Sequence, residues 1–297
     1  MIEFFQQLLN GLSLGAIFAL IALGYTMVYG VLRFINFAHS DVFMVGAYAG
    51  YYIGRFVPDH PVWGGLAALA VAMTICAVLG VIIERLAYRP LRSAPTLNVL
   101  ITAIGVSLLL QNLGQFFFGA TPRPFPELFP VTLFIFHGIY ISSNQLVVIG
   151  VTLALLFALR FIVLRTKIGT AMRAVSQNPK AASLVGINND LVISFTFALG
   201  SALAAAGGML YALNYPSIDP LMGVLPGLKA FVAAVLGGIG NIPGAALGGL
   251  LLGVVETFVN GSKDWSTYKD AIAFALLILM LLFRPAGLLG SFTKEKV

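Results

Sequence analysis

The chain has 297 residues, of which 59% are hydrophobic and 9% charged, with a formal net charge of +6 and a mean hydropathy of +0.97. A soluble domain carries about 25% charged residues, so a water-facing surface cannot be built from this composition and lipid is the natural solvent. The net positive charge does not mark a nucleic-acid binder, because the basic residues are spread between apolar runs.

In a bilayer every backbone polar group must be satisfied within the chain, which leaves helical bundles or closed barrels. The apolar runs are long and continuous, without the ~10-residue alternation of barrel strands. The predicted fold is therefore all-α, a polytopic transmembrane helical bundle forming a single domain over 1–297. Its spans are predicted at 8–31, 40–54, 62–83, 97–118, 145–164, 191–213, 223–239, 241–258 and 270–289. The first, second, seventh and eighth are the least regular, and the count falls to eight if one of these is re-entrant. The start Met1-Ile2-Glu3-Phe4 has no basic n-region, which argues against a cleaved signal peptide.

Lys and Arg in the connections set the orientation. Arg85, Arg89 and Arg92 face one acid, Glu84. Arg160, Arg165, Lys167, Arg173 and Lys180 face Asp190, and the tail sets Arg284, Lys294 and Lys296 against Glu295. These three regions hold 11 of the 17 basic residues. The remaining loops are balanced, as Arg55 is by Asp59. The enriched loops and the C-terminus should be cytoplasmic, and the N-terminus outside.

Along the chain, Asn36, His39, Ser40 and Asp41 fall where the first two spans meet. Ionisable groups at membrane depth are expensive and usually face an interior or a pathway. They read as a broken helix near a translocation route, or as polar groups packed on a neighbouring helix or in a loop at the membrane surface. Cys76, the one cysteine, lies in an apolar run and reads as a buried thiol. His39 has no second ligand at metal-binding spacing.

The segment 165–187 is too long for a simple connection. Asn178 can cap a helix that has Pro179 in its first turn, and Gly186 can end it in the left-handed conformation. Ala181, Ala182, Leu184 and Val185 would share one apolar face. Such a helix at 178–186 can dock into a groove on a soluble partner or lie among lipid headgroups. The small residues Gly169, Ala171, Ala174, Ala181 and Ala182 favour protein docking.

Asn214-Tyr215-Pro216-Ser217-Ile218-Asp219-Pro220 forms a second polar break, on the opposite face from the first. Two such breaks, opening spans of opposite direction, suit an inverted repeat around a central cavity. Gly80-x-x-x-Glu84 and Gly253-x-x-Glu256 are a weaker matching pair. Asp219 also suits a capping role. Lys229 would snorkel to the surface or pair with Asp219 or Glu256. The glycines from Gly237 to Gly253 allow close helix contact, with Pro243 expected to kink a helix. They lack the Gly-Lys-Ser/Thr of a phosphate loop.

Several of these stretches resemble the permeases of branched-chain amino acid ABC importers, the LivH/LivM type, with LivH the nearer. Ile35-Asn36-Phe37-Ala38-His39 with Gly46-Ala47-Tyr48, Glu84-Arg85-x-x-Tyr88-Arg89-Pro90, and Gly169-x-x-x-Arg173-Ala174 with Ala181-Ala182 and Gly186-Ile187 are similar to that family in order. So is Lys229-Ala230-Phe231 through Leu236-Gly237-Gly238-Ile239-Gly240-Asn241-Ile242-Pro243-Gly244-Ala245. The family usually has Gly and Glu where this chain has Ser40 and Asp41, which bears on substrate specificity.

The resemblance implies an inverted-repeat, type II-like permease in the inner membrane. It implies import of branched-chain or related small amino acids, amides or urea, driven by two separate cytoplasmic ATPases. It also implies a second permease, as a heterodimer or homodimer, and a periplasmic or extracellular binding protein. Gly169, Arg173, Ala174, Asn178, Ala181, Ala182 and Gly186 would then form the ATPase-coupling loop. Asn36, His39, Asp41, Asn214, Asp219 and Lys229 are the candidates for the pathway. No enzyme motif is expected and no cofactor in this chain, ATP belonging to the partners. The competing reading is an ion-coupled secondary transporter or channel, using the intramembrane Asp, Glu, His and Lys.

Overall fold

A computed structural model describes residues 2–56 and 62–290. Asp59, and Lys294, Glu295 and Lys296 of the tail, used above for orientation, lie outside the described residues. Helices α1 (Ile2–Leu32), α2 (His39–Gly54), α3 (Val62–Ile83) and α4 (Thr96–Phe118) form a first half. Helices α8 (Asn189–Asn214), α9 (Val224–Gly237), α10 (Ile242–Asn260) and α11 (Lys269–Phe283) form a second. Between the halves lie α5 (Ser143–Arg165), α6 (Lys167–Gln177) and α7 (Pro179–Leu184).

Each predicted span has a helix, but among the described residues only seven helical segments are long and apolar enough to cross a membrane. At 1.5 Å per residue, α2 and α9 reach only about 24 and 21 Å, short of the ~30 Å hydrocarbon core. They are the second and seventh spans, two of the four marked as irregular in the sequence.

The packing repeats with the halves exchanged. Helix α1 packs on α9 and α10, as α8 packs on α2 and α3. Helix α2 contacts α3 and α4, as α9 contacts α10 and α11. Where α1 meets α8, Gly24 lies against Gly200 and Ser13 bonds Asn214, so the two helices run antiparallel and the repeat is inverted. Helices α1 and α10 touch backbone to backbone: a Cβ on Gly15 would stand 2.8 Å from Leu250 Cα, and one on Gly11 2.8 Å from Val254 Cα. Lipid tails supply no hydrophobic drive between helices, so such close approach is what holds them together.

The core is concentrated in α1, α2, α8 and α9, whereas α4, α5 and α11 leave half or more of their leucine, isoleucine and phenylalanine side chains exposed. In a bilayer these are lipid- or subunit-facing surfaces.

Three details depart from the sequence reading. First, the connection before α5 is partly extended. β1 (Arg123–Pro124) pairs antiparallel with β4 (Ser217–Ile218), and β2 (Leu133–Phe136) pairs with β3 (Ile139–Ser142). The second pair closes through His137 and Gly138, both at positive φ (50° and 84°), the two-residue turn that matches strand twist. Second, Pro243 begins a helix rather than kinking one. Asn241 Oδ1 accepts from Gly244 N at 3.1 Å, and the proline falls in the first turn of α10. Third, the last span stops at Phe283. Residues 284–290 fold back, and Leu288 N and Leu289 N donate to the carbonyls of Leu236 and Gly237 at 2.8 and 3.1 Å. This satisfies two orphan carbonyls at the end of α9.

Candidate functional site

The loops at 84–95, 165–189 and 284–290 share one face, here called the basic face. The loops at 119–142, 215–223 and 261–268 share the opposite one.

The break between α1 and α2 is tightly bonded. Asn36 Oδ1 accepts from Ala38 N at 3.1 Å and from the Tyr88 hydroxyl at 2.6 Å. The His39 ring lies 4.6 Å from that of Tyr25, with Nε2 3.2 Å from the Ile21 carbonyl. Asp41 Oδ1 accepts from Gln111 Nε2 at 3.0 Å, joining α2 to α4, while its buried Oδ2 has no hydrogen-bond partner among the described residues. Asn36, His39 and Asp41 are all at least 95% buried. A break at this point supplies a cluster of buried donors and acceptors inside the bundle.

The second break behaves differently. Asp219 Oδ1 accepts from Leu221 N at 2.8 Å and holds a turn ahead of α9. Asn214 Nδ2 donates to Ser13 Oγ at 3.1 Å, and Asn214 lines a cavity of about 400 Å³ at the opposite face. Asn10, Asn144, Gln145 and Glu256 also line it, whereas Asn36, His39, Asp41 and Asp219 do not. Two buried oxygens among the lining residues, Asn144 Oδ1 and Glu256 Oε2, lack protein partners among the described residues. Asn144 and Gln145 were missed in the sequence because they head α5, where they look like ordinary helix-start residues.

Lys229 pairs with acids, as one of its two readings required, but not with Asp219. Its Nζ lies 2.6 Å from both Glu256 Oε1 and Asp270 Oδ1. The Lys229 and Glu256 side chains are 7% and 9% exposed. At the other end of the bundle the matching acid, Glu84, is fully buried. It pairs with Arg92 and accepts from Ser194 Oγ at 2.6 Å. Arg92 also meets Asp190 at 2.5 Å, and Arg89 pairs with the same Asp190. The two acids named as a weak repeat pair thus anchor one ion cluster at each face.

The loop after α5 forms two helices. Helix α6 was not foreseen as a separate element. It starts at Thr166, whose Oγ1 accepts from Gly169 N at 3.1 Å. A Cβ on Gly169 would strike the Ile162 and Val163 carbonyls, so glycine is needed where α6 folds back on α5. Helix α7 has the predicted cap and stop. Asn178 Oδ1 accepts from Ala181 N at 3.0 Å, Pro179 is in the first turn, and Gly186 has φ +85°.

The predicted single apolar face is divided. Ala182 is buried against the bundle, while Ala181 is exposed and Leu184 and Val185 are 88% and 77% exposed. Six helical residues give under two turns, so these side chains fan out to different sides. Arg173 and Asn178 are exposed and Ala174 is partly buried. Asn189 Nδ2 donates to the Pro179 carbonyl at 2.8 Å, tying α7 to the start of α8 beside Asp190. A bonded path therefore runs from α7 through Asn189 and Asp190 to Arg92 and Glu84. The same turn of chain carries Tyr88, which reaches Asn36.

An inverted repeat of apolar helices, with a polar break in its core and an exposed apolar tip on its basic face, defines a multi-pass membrane transport protein. A family model described as branched-chain amino acid transport system / permease component matches residues 7–281, and the chain belongs to that family. It is 45% identical to the high-affinity branched-chain amino acid transport system permease protein BraD of Pseudomonas aeruginosa, over 99% of this chain and 98% of the relative. It is 43% identical to the corresponding permease protein LivH of Escherichia coli, with the same coverage. A probable branched-chain amino acid transport permease protein LivH of Methanocaldococcus jannaschii is 29% identical over 91% of this chain and 88% of its own length.

Proposed function

We propose that the chain is the membrane-spanning permease of an ATP-driven importer for branched-chain or related small amino acids. The observation that carries this reading is the exposed Leu184–Val185 tip. It projects from a helix pair fixed to the bundle at Gly169, Ala182 and Asn189. A surface apolar tip on a rigid stalk suits insertion into a groove on a soluble partner. The partner here is a pair of ATPase subunits that would bind ATP themselves.

The basic face is then cytoplasmic, with the N-terminus outside. A binding protein would deliver substrate to the opposite face, and a second related permease would complete the route. Asn36, His39 and Asp41 would mark the polar section of the path and Asn214 its outer mouth. The substrate class follows the names of the relatives, whose chains this one matches from end to end. An ion-coupled mechanism is less well supported, since Glu256 and Asp270 already hold Lys229 as counter-charge.

The reading is tested by co-purification. Leu184→Asp together with Val185→Asp should abolish ATPase association and uptake while membrane insertion continues. A double variant that still recruits the ATPases and transports would refute docking at this tip.

A further inference from the structure

A second cavity on the basic face, about 1,010 Å³, opens between the ends of α1, α5, α6, α9 and α11. Its walls combine hydrocarbon from Phe231, Val235 and Leu281 with three arginines from three elements: Arg33, Arg160 and Arg173. Among the described residues no acidic side chain lines it. Among the described residues none of the three arginines forms an ion pair, whereas Arg89 and Arg92 nearby are matched by Asp190 and Glu84. Arg33 is held at φ +57°, a left-handed conformation that a residue with a Cβ adopts only when its surroundings impose it. All three are solvent-exposed, and three guanidinium groups around one space raise its positive potential and favour an anion shared between them.

We propose that this cavity holds an anionic phospholipid, its phosphodiester gripped by Arg33, Arg160 and Arg173 and its chains laid along Phe231, Val235 and Leu281. Guanidinium presents a planar fork that binds phosphate oxygens two at a time. Basic pockets between helix ends at a membrane surface suit such headgroups. A soluble anion would satisfy the arginines but leave the apolar wall facing water. An acidic protein partner would meet the loop first at the Leu184 tip, which does not line this space. The inference needs only that the chain resides in a bilayer, and it stands whatever the substrate proves to be.

The test is native mass spectrometry of the assembled transporter, titrated with phosphatidylglycerol or phosphatidylcholine, with inorganic phosphate as competitor. Arg173 is left intact because it also belongs to the proposed docking loop. Wild type should bind phosphatidylglycerol well above phosphatidylcholine. Arg33→Gln and Arg160→Gln should each weaken it about fivefold, in line with the usual contribution of one basic residue beside anionic lipid. Phosphatidylcholine binding should not change. Equal phosphatidylglycerol affinity in wild type and the double glutamine variant would overturn the proposal. So would full displacement by millimolar phosphate, which would mark a site for soluble anions. If the glutamine variants fail to assemble, Arg33→Lys with Arg160→Lys keeps the charge. That pair should retain preference for the anionic lipid at lower affinity, and loss of the preference would also overturn the proposal.

Discussion

Replacing Lys229 by Met separates two roles for this residue. Its side chain and that of Glu256 are 7% and 9% exposed, and Asp270 is 40% exposed. Removing the ammonium leaves Glu256 buried and without a counter-charge, and breaking a buried pair in this way costs about 3–5 kcal/mol. Asp270 can turn to water and adds little. For chains of this order of size each kcal/mol lowers the melting temperature by about 2–4 °C, so a loss of order 10 °C is expected. Replacing both partners, Lys229→Met with Glu256→Met, removes the charge along with its mate and should return stability close to wild type. The assay is the temperature at which the assembled transporter leaves the monodisperse peak on size exclusion after heating. The reasoning fails if the single variant is as stable as wild type, or if the double variant is no better than the single. A stable double variant that still transports makes the pair a structural pin. One that is stable and inactive puts Lys229 and Glu256 in the solute path.

Three further outcomes follow from the same contacts. Arg92→Gln strips the fully buried Glu84 of its cation and should destabilise the transporter by about 3 kcal/mol. Asp190→Asn, at a half-exposed pair, should cost under about 1 kcal/mol; a reversed order in a thermal-shift comparison would contradict the burial argument. Ala182→Trp should disrupt the fold of the 167–187 loop itself, because Ala182 packs against the bundle. Limited proteolysis there should accelerate, and an unchanged digestion pattern would show the side chain can be accommodated on the surface. Asn36→Leu removes the acceptor for both Tyr88 and Ala38 N. Uptake should fall while the complex still assembles, and normal uptake would count against a pathway role for this break.

Membrane residence, the helix order and the two breaks were readable because each rests on local composition. Runs of apolar residues of a given length need no tertiary information. The caps at Asn178 and Gly186 were also local, since one side chain and one backbone angle decide them. What could not be read was direction in space. Ala182 and Leu184 look alike as apolar letters, and only the stalk built by α6 shows that one faces in and the other out. Lys229 could be read as snorkelling to the surface or as pairing with an acid such as Asp219 or Glu256. Asp270, however, lies 41 positions away behind a loop, and only the packing of α9 on α11 brings it near. Pro243 was misjudged because a kink and a helix start share the same residue. Asn241 two positions earlier was the available signal, as a capping side chain ahead of a proline.

The inverted repeat puts a buried acid at each face, yet the two clusters differ in how firmly they hold. At the opposite face Lys229 and Glu256 are both shielded, so their attraction is little screened. At the basic face Glu84 and its partner Arg92 are 0% and 20% exposed, but the outer pair, Arg89 and Asp190, is 49% and 46% exposed. Exposed pairs contribute about 0–1 kcal/mol and can exchange partners with water. Equivalent positions in the repeat therefore make one fixed end and one yielding end. The yielding end is the one joined through Asn189 to α7, where a push on the Leu184 tip would arrive. Under the proposed drive by ATPases at the Leu184 tip, that asymmetry would admit motion where the force enters and resist it at the far face. The resistance follows from the Lys229–Glu256 pair, whose side chains are both shielded, whereas Asp270 is 40% exposed.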